Sequence, residues 1–282
     1  RHDRDWSKVQ ILVKINKGFA QAQNMVMRVL ILMYHMVSET DHPLQIRYAV
    51  SPDKFRRQMR YLKFKGYTPI SLDDLHGSFI YNNGKLPEKP IIITFDDGYM
   101  DNYENAFPVL KEYSFPAAIF MVSGLVGRSN LWNVAEGYPE RPLIGWREAE
   151  EMMKGGVTIG SHTINHPWLT QLFSEEAKRE IGESKKSLED RLGMPINHFA
   201  YPYGDLNQPI VDIVKDAGYV TACSVRAGFN KKDTDPFILK RIGIYGEDSL
   251  WRFALKVTFG TNEGSLSHQA KYYMERLAYR IK

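Results

Sequence analysis

Short apolar runs rich in β-branched residues recur along the chain and alternate with stretches of helical period. Val29–Tyr34, Ile91–Phe95, Pro116–Val122, Val157–Gly160, Phe199–Tyr201 and Tyr219–Ser224 carry almost no polar alternation, so they read as strands buried on both faces. Between them lie helix signals. Ser51-Pro52-Asp53 before Phe55, Met59 and Leu62 is an N-cap with proline in the first turn, and Gly66 ends that helix. Thr68-Pro69-Ile70 follows as a short extended piece, and Ser71–Leu75 opens another helix. Asn82-Asn83-Gly84 reads as a turn. Tyr103–Tyr113 is helical with Ala106, Phe107 and Leu110 inward; Trp146–Lys154, Ser174–Leu192 and Gln208–Ala217 follow, each stopped by glycine. Residues 124–145, rich in Gly, Pro and Asn, read as a long surface loop. Pro236–Ile244 reads as extended, and Trp251–Val257 and Gln269–Ile281 as helix.

Strands that alternate with helices imply a parallel sheet, and about seven such units suit an α/β barrel, closed or nearly closed, in a single domain. Residues 1–28 form a helical extension before the barrel at 29–245, and residues 246–282 a second one after it. The first extension reads as an amphipathic helix, packed on the body or lying on a membrane surface. With 282 residues, 43% hydrophobic and 25% charged, the composition is that of a globular protein large enough for a substantial core. The net charge of +4 is dispersed, which suits an anionic surface, including peripheral membrane contact by the basic end at Lys271–Lys282, and gives no argument for nucleic acid. One cysteine, Cys223, excludes an intrachain disulfide framework. No run is long enough to cross a bilayer, and the start at Arg1 rather than methionine fits removal of a leader or anchor. Oligomeric state is not legible.

Position then suggests chemistry. His35, Asp96-Asp97, His162 and Tyr203 each directly follow an apolar strand. In a parallel barrel the strand C-termini open on one face, which carries the active site. Each motif alone has a plain reading: a loop histidine, an Asp-Asp-Gly turn, a Pro-Tyr-Gly turn. Together they point to one shared site. Two adjacent carboxylates at the end of a buried strand are costly unless a cation or proton holds one of them. His162 and His166, spaced i and i+4, would face the same way on a helical turn and could reach one ion. Two histidines plus one aspartate make a facial set with open positions, as in a catalytic divalent site. The second aspartate would then stay free as a base beside the water such an ion activates. The histidine pair favours a softer ion than magnesium, which disfavours a phosphotransferase reading of Asp-Asp-Gly.

Thr94-Phe95-Asp96-Asp97-Gly98, Ser161-His162-Thr163-Ile164-Asn165-His166 and Tyr201-Pro202-Tyr203-Gly204 resemble, in order and spacing, the first three motifs of the polysaccharide deacetylases, the NodB-homology enzymes of carbohydrate esterase family 4. Tyr34-His35 and Phe199–Gly204 are most similar to the branch acting on poly-N-acetylglucosamine. The resemblance implies a distorted (β/α)7 barrel and metal-dependent hydrolysis of the N-acetyl groups of N-acetylglucosamine-type sugars. It implies Asp97, His162 and His166 as ligands of a divalent transition metal, zinc being the expected ion, and Asp96 as general base. It further implies the backbone N–H of Tyr203, after Pro202, as an oxyanion donor, and His35 as the acid that protonates the leaving amine. The arginine that usually precedes the third motif's proline by two residues is replaced by Ala200. Arg241, in Leu239-Lys240-Arg241-Ile242, is a candidate substitute, grouped with Tyr203 and Pro202 on the substrate side; as an alternative it is an ordinary surface charge. His268 lacks the surroundings of the family's late histidine. Trp132, Trp146, Trp168 and Tyr99 lie near the strand ends and could stack on sugar faces or simply pack. The branch works outside the cytoplasm, which favours that compartment. Hydrolysis of another small or cyclic amide, or a catalytically impaired glycan-binding protein, are the alternatives.

Overall fold

The computed structural model describes residues 27–80 and 85–263, so all but the last two residues of the expected helix at 1–28, the helix at 269–281, the turn at 82–84 and His268 lie outside the described residues. Eight parallel strands form one curled sheet: β1 (Leu30–Tyr34), β2 (Thr68–Pro69), β3 (Pro90–Phe95), β4 (Ala117–Met121), β5 (Val157–Ser161), β6 (His198–Ala200), β7 (Thr221–Cys223) and β8 (Ile242–Gly243). The order is β7-β6-β5-β4-β3-β1-β8, and β2 adds only to the start of β3. These seven path strands are the distorted barrel that the alternating pattern predicts. The chain between β7 and β8 closes it. Leu239 bridges Cys223 in parallel, and three residues on, Ile242 and Gly243 pair with Leu32 and Met33 of β1. The seam of the barrel is therefore the single segment Leu239–Gly243.

Side chains alternate across the strands, as the pleat requires. Leu30, Leu32, Ile91, Ile93, Ala117 and Ile119 face outward into a shell packed by the helices. These are α1 (Pro52–Phe64), α3 (Phe107–Tyr113), α4 (Trp146–Lys154), α5 (Ser174–Leu192), α6 (Gln208–Asp216) and α7 (Leu250–Phe259). Each contributes its apolar stripe, for example Phe55, Met59 and Leu62 of α1 and Ala177, Ile181 and Leu188 of α5. Fully burying one such side chain is worth about 1.5–3 kcal/mol. The 246–282 segment is not wholly an extension. Helix α7 buries Phe253, Ala254 and Val257 in this same shell, so the barrel body runs past residue 245.

The alternate residues Ile31, Ile92, Ala118, Phe120, Ala200, Cys223 and Leu239 fill the interior. Helix α2 (Leu72–Ile80) is exceptional, because its Leu72, Leu75 and Phe79 join this inner cluster. It plugs the N-terminal mouth, where Asp73 also meets the buried His198 of β6 at 3.1 Å. With that mouth closed, the opposite mouth is left for chemistry. The expected surface loop 124–145 instead folds over those strand ends and buries Leu125, Asn130, Leu143 and Ile144. Among the described residues no helix is long and apolar enough to cross a membrane.

Candidate metal-assisted active site

Strand register brings the polar residues together. Tyr34 of β1 lies opposite Phe95 of β3, so His35 and Asp96 leave the sheet side by side, and the Asp96 N–H donates to the Tyr34 carbonyl at 3.0 Å. Met121 pairs with Ser161 and Ser161 with Phe199, which brings His162 level with Ala200. The His162 N–H donates to the Met121 carbonyl at 2.9 Å.

Asp97, His162 and His166 converge, all three buried, with ligand atoms within 4.8 Å of one another. The Nε2 atoms of His162 and His166 lie 3.4 and 3.3 Å from the same oxygen, Asp97 Oδ1. A tetrahedral zinc site with ligands at 2.0–2.1 Å has ligand–ligand edges of about 3.3–3.4 Å. The hydrogen bonding points the same way. His162 Nδ1 meets the Ala200 carbonyl oxygen at 2.8 Å, and a carbonyl can only accept, so Nδ1 carries the proton. That leaves Nε2 as the ring atom that faces Asp97 Oδ1, the position from which it could reach a cation held between them. The donor set thus fits a divalent transition metal, with the Ala200 carbonyl fixing the tautomer of one ligand.

The i, i+4 spacing does not work through a helix, contrary to the sequence reading. Thr163 and His166 have φ of +69° and +61°, which no α-helix accommodates. The loop is held from outside. The Glu180 carboxylate on α5 accepts from the backbone N–H of Ile164 and Asn165, both at 2.9 Å, and the Thr163 hydroxyl accepts from the His166 N–H at 2.9 Å. Among the described residues, four of the five non-glycine residues with positive φ are Asp97, Thr163, His166 and Tyr203. Such conformations cost of order 1–3 kcal/mol each and persist where surroundings enforce them, commonly at functional sites.

Asp96 does not approach the histidines as a ligand. Arg241 clasps it through two hydrogen bonds, Nη1 to Oδ1 at 2.6 Å and Nη2 to Oδ2 at 2.7 Å. Arg241 is itself held: Nη1 also donates to Thr94 Oγ1 and Nε to the Ser224 carbonyl. Wholly buried, it contacts no solvent, which corrects its grouping with the substrate-side residues: it acts behind Asp96. Ala200 leaves this interior without an arginine of its own, and the seam supplies one from the other side. Burial works against ionisation of both aspartates. For Asp96 the Arg241 charge outweighs it and lowers the pKa. For Asp97 the contacts to His162 and His166 outweigh it and hold the carboxyl well below the usual range. Burial lowers the pKa of His166, which favours the neutral, ligating form. Burial also pushes the nearby Cys223 thiol up to about 12, so it is no nucleophile.

His35 is half-buried, with its ring 5.2 Å from Tyr48. A turn that the sequence reading passed over grips its backbone. The Asn102 amide donates to the His35 carbonyl at 2.8 Å, Asp101 Oδ1 accepts from the Val37 N–H at 2.9 Å, and the Asn105 amide donates to the Val37 carbonyl at 2.8 Å. Residues Asn102–Ala106 form a π-turn leading into α3, a distortion frequent at functional sites. Three polar residues at 101, 102 and 105, all on one helix face next to Asp-Asp-Gly, were the available signal.

The aromatics divide. Trp132 stacks on His166 at 4.7 Å, and Tyr99 is buried 6.3 Å from Trp132. Trp146 packs on the outer shell under Arg191, away from this cluster. Tyr203 sets its ring edge-on to His166 at 4.4 Å, Trp168 stacks on Tyr203, and Pro202 is buried beneath that turn.

Comparison with known proteins agrees with this architecture. The family model for polysaccharide deacetylases matches residues 83–222, a span that includes Asp96, Asp97, His162, His166 and Tyr203 but neither His35 nor Arg241. YxkH of Bacillus subtilis, named among the polysaccharide deacetylases, is 30% identical over 215 residues, covering 76% of this chain and 70% of that protein. The poly-β-1,6-N-acetyl-D-glucosamine N-deacetylase of Staphylococcus aureus is 29% identical over 206 residues, covering 69% of this chain and 67% of that protein. The Streptococcus pyogenes deacetylase PplD, solved with acetate, superposes with a TM-score of 0.72 at 26% identity, covering 83% of this chain and 99% of that one. The chain belongs to the polysaccharide deacetylases, a family of hydrolases acting on carbon–nitrogen bonds other than peptide bonds.

Proposed function

We propose that this protein removes N-acetyl groups from N-acetylglucosamine-type sugars of a polysaccharide or oligosaccharide, with poly-β-1,6-N-acetylglucosamine as the leading substrate by its likeness to the Staphylococcus aureus enzyme. The observation that carries the reading is the Asp97–His162–His166 cluster next to an Asp96 clasped by Arg241. Asp97, His162 and His166 would hold the ion, which when bound supplies an acidified water and polarises the acetyl carbonyl. Asp96, kept ionised and pinned by Arg241, takes the water's proton at a carboxylate oxygen. The Tyr203 backbone N–H, turned by its positive φ, donates to the oxygen on which charge develops. His35, across the site on β1's exit, delivers a proton to the leaving amine nitrogen, releasing acetate and a free amino sugar. Trp132 over His166 keeps bulk water from that side.

The test is metal analysis of the purified protein coupled to acetate release from N-acetylglucosamine oligomers, with Asp96→Asn as control. One equivalent of transition metal, and acetate release that Asp96→Asn abolishes, is expected. No bound transition metal and no acetate from any N-acetylated sugar refutes the reading. His35→Ala should keep the metal and lose most turnover; wild-type rates in that variant would remove His35 from the mechanism.

A further inference from the structure

Trp168 differs from the other aromatics near the site in having its ring on the outside. It lies flat on Tyr203, with ring centroids 4.1 Å apart and planes within 3°. Even so, 45% of Trp168 and 37% of Tyr203 remain exposed. Parallel stacking covers one indole face only. Tyr203 in turn touches the metal-ligand candidate His166, so the indole sits one ring beyond the site on a continuous aromatic path. The support is stiff. Tyr203 is fixed by its strained backbone and the buried Pro202. The segment after Trp168 is tied to the turn after Tyr203, since Asp205 accepts from both the Thr170 N–H and its hydroxyl at 2.8 Å. A large apolar surface held rigidly toward water loses little entropy on binding, and its flat π-face suits the C–H face of a pyranose.

We infer that the exposed face of Trp168 is a sugar subsite, holding the pyranose next in the chain to the one whose acetyl group is attacked, and that it selects oligomers over single sugars. This rests on the deacetylase reading only for the identity of the glycan. Trp132, Tyr99 and Trp146 cannot serve, because they are committed to His166, to the buried core and to the outer shell. Phe173, 82% exposed, lacks a stacked support.

The experiment measures binding and turnover separately, using pentamers of β-1,6-linked and of β-1,4-linked N-acetylglucosamine. Trp168→Ala should raise the KM for the pentamer that the wild type uses by about tenfold at nearly constant kcat, and weaken calorimetric binding of the same pentamer by a similar factor. Trp168→Phe, which keeps a flat face, should recover most of this. The inference is overturned if Trp168→Ala binds the pentamers like the wild type, if it loses kcat with KM unchanged, or if the wild type binds neither pentamer. Trp168-dependent binding without acetate release would reject the deacetylase reading and leave the subsite standing.

Discussion

Replacing Arg241 by methionine tests the centre of the proposed mechanism. The change keeps most of the side-chain volume and removes the fork that holds Asp96. The structure sets the scale: two contacts of 2.6 and 2.7 Å, a wholly buried guanidinium, and a carboxylate with 3% of its residue exposed. Deleting one member of such a pair strands a buried charge and costs about 3–5 kcal/mol. For a chain of this size that lowers the melting temperature by about 6–10 °C, at roughly 2 °C per kcal/mol. Asp96 also loses the groups that aim it, so kcat should fall by about 100-fold or more, the lower end of what a positioned general base supplies. Arg241→Lys keeps a charge but no bidentate geometry and should fall between the two. Thermal melts, acetate-release kinetics and a double-mutant cycle with Asp96→Asn form the assay. The double variant should be far less destabilised than the sum of the singles, because it leaves no unpaired charge. Arg241→Met melting within about 2 °C of wild type, with kcat intact, would refute the assignment.

Three further outcomes are expected. Asn102→Ala releases the His35 carbonyl and should lower kcat about tenfold with metal content unchanged, on the scale of one buried hydrogen bond; full turnover would show that the grip on the His35 turn is idle. Asp101 is pushed up to about 6 by burial, which its contacts to Val37 and Ser38 and the charge of Arg141 only partly offset, while Glu104 adds to it. An acid whose native pKa exceeds its unfolded value of about 3.9 releases its proton later when folded, so stability falls as pH rises from about 4 to about 6 and is level above. Asp101→Asn should therefore gain on wild type by about 3 kcal/mol across that window in urea denaturation, and parallel curves would reject this. Chelation should lower the melting temperature by about 8 °C if metal is present at about 1,000 times its dissociation constant, and zinc should restore it. His162→Ala should melt the same with and without chelator; a wild type indifferent to chelator would refute the site.

The strands were legible because burial on both faces writes them as unbroken apolar runs, as in Ile91–Phe95. Helix starts were legible through their caps: Ser51 accepts from the Lys54 N–H, and Ser71 exchanges hydrogen bonds with Asp74. What stayed hidden depends on contacts remote in sequence. The loop at 162–166 takes its shape from Glu180 on another helix, so local spacing suggested a helical turn that the backbone does not make. Helix α2 has an apolar stripe like any other, and nothing local says that it plugs a mouth rather than covering a flank. Arg241 read equally as a surface charge; the apolar neighbours Leu239, Ile242 and Ile244 on either side were the one hint that it points inward. The Asp101–Asn105 turn escaped notice because its ligands are backbone atoms of a loop sixty-odd residues earlier.

The seam at Leu239–Gly243 also bears on the order of folding. Asp96 and Arg241 are 145 positions apart, so any partly folded state that has joined β1 to β7 without the last segment carries Asp96 at the end of a buried strand with no countercharge. That state must leave the carboxylate wet or protonated. Docking of the final segment pairs β8 with β1 and brings Asp96 its countercharge in one event. Until that segment docks, a chain that has already placed Asp97, His162 and His166 lacks the guanidinium that clasps Asp96.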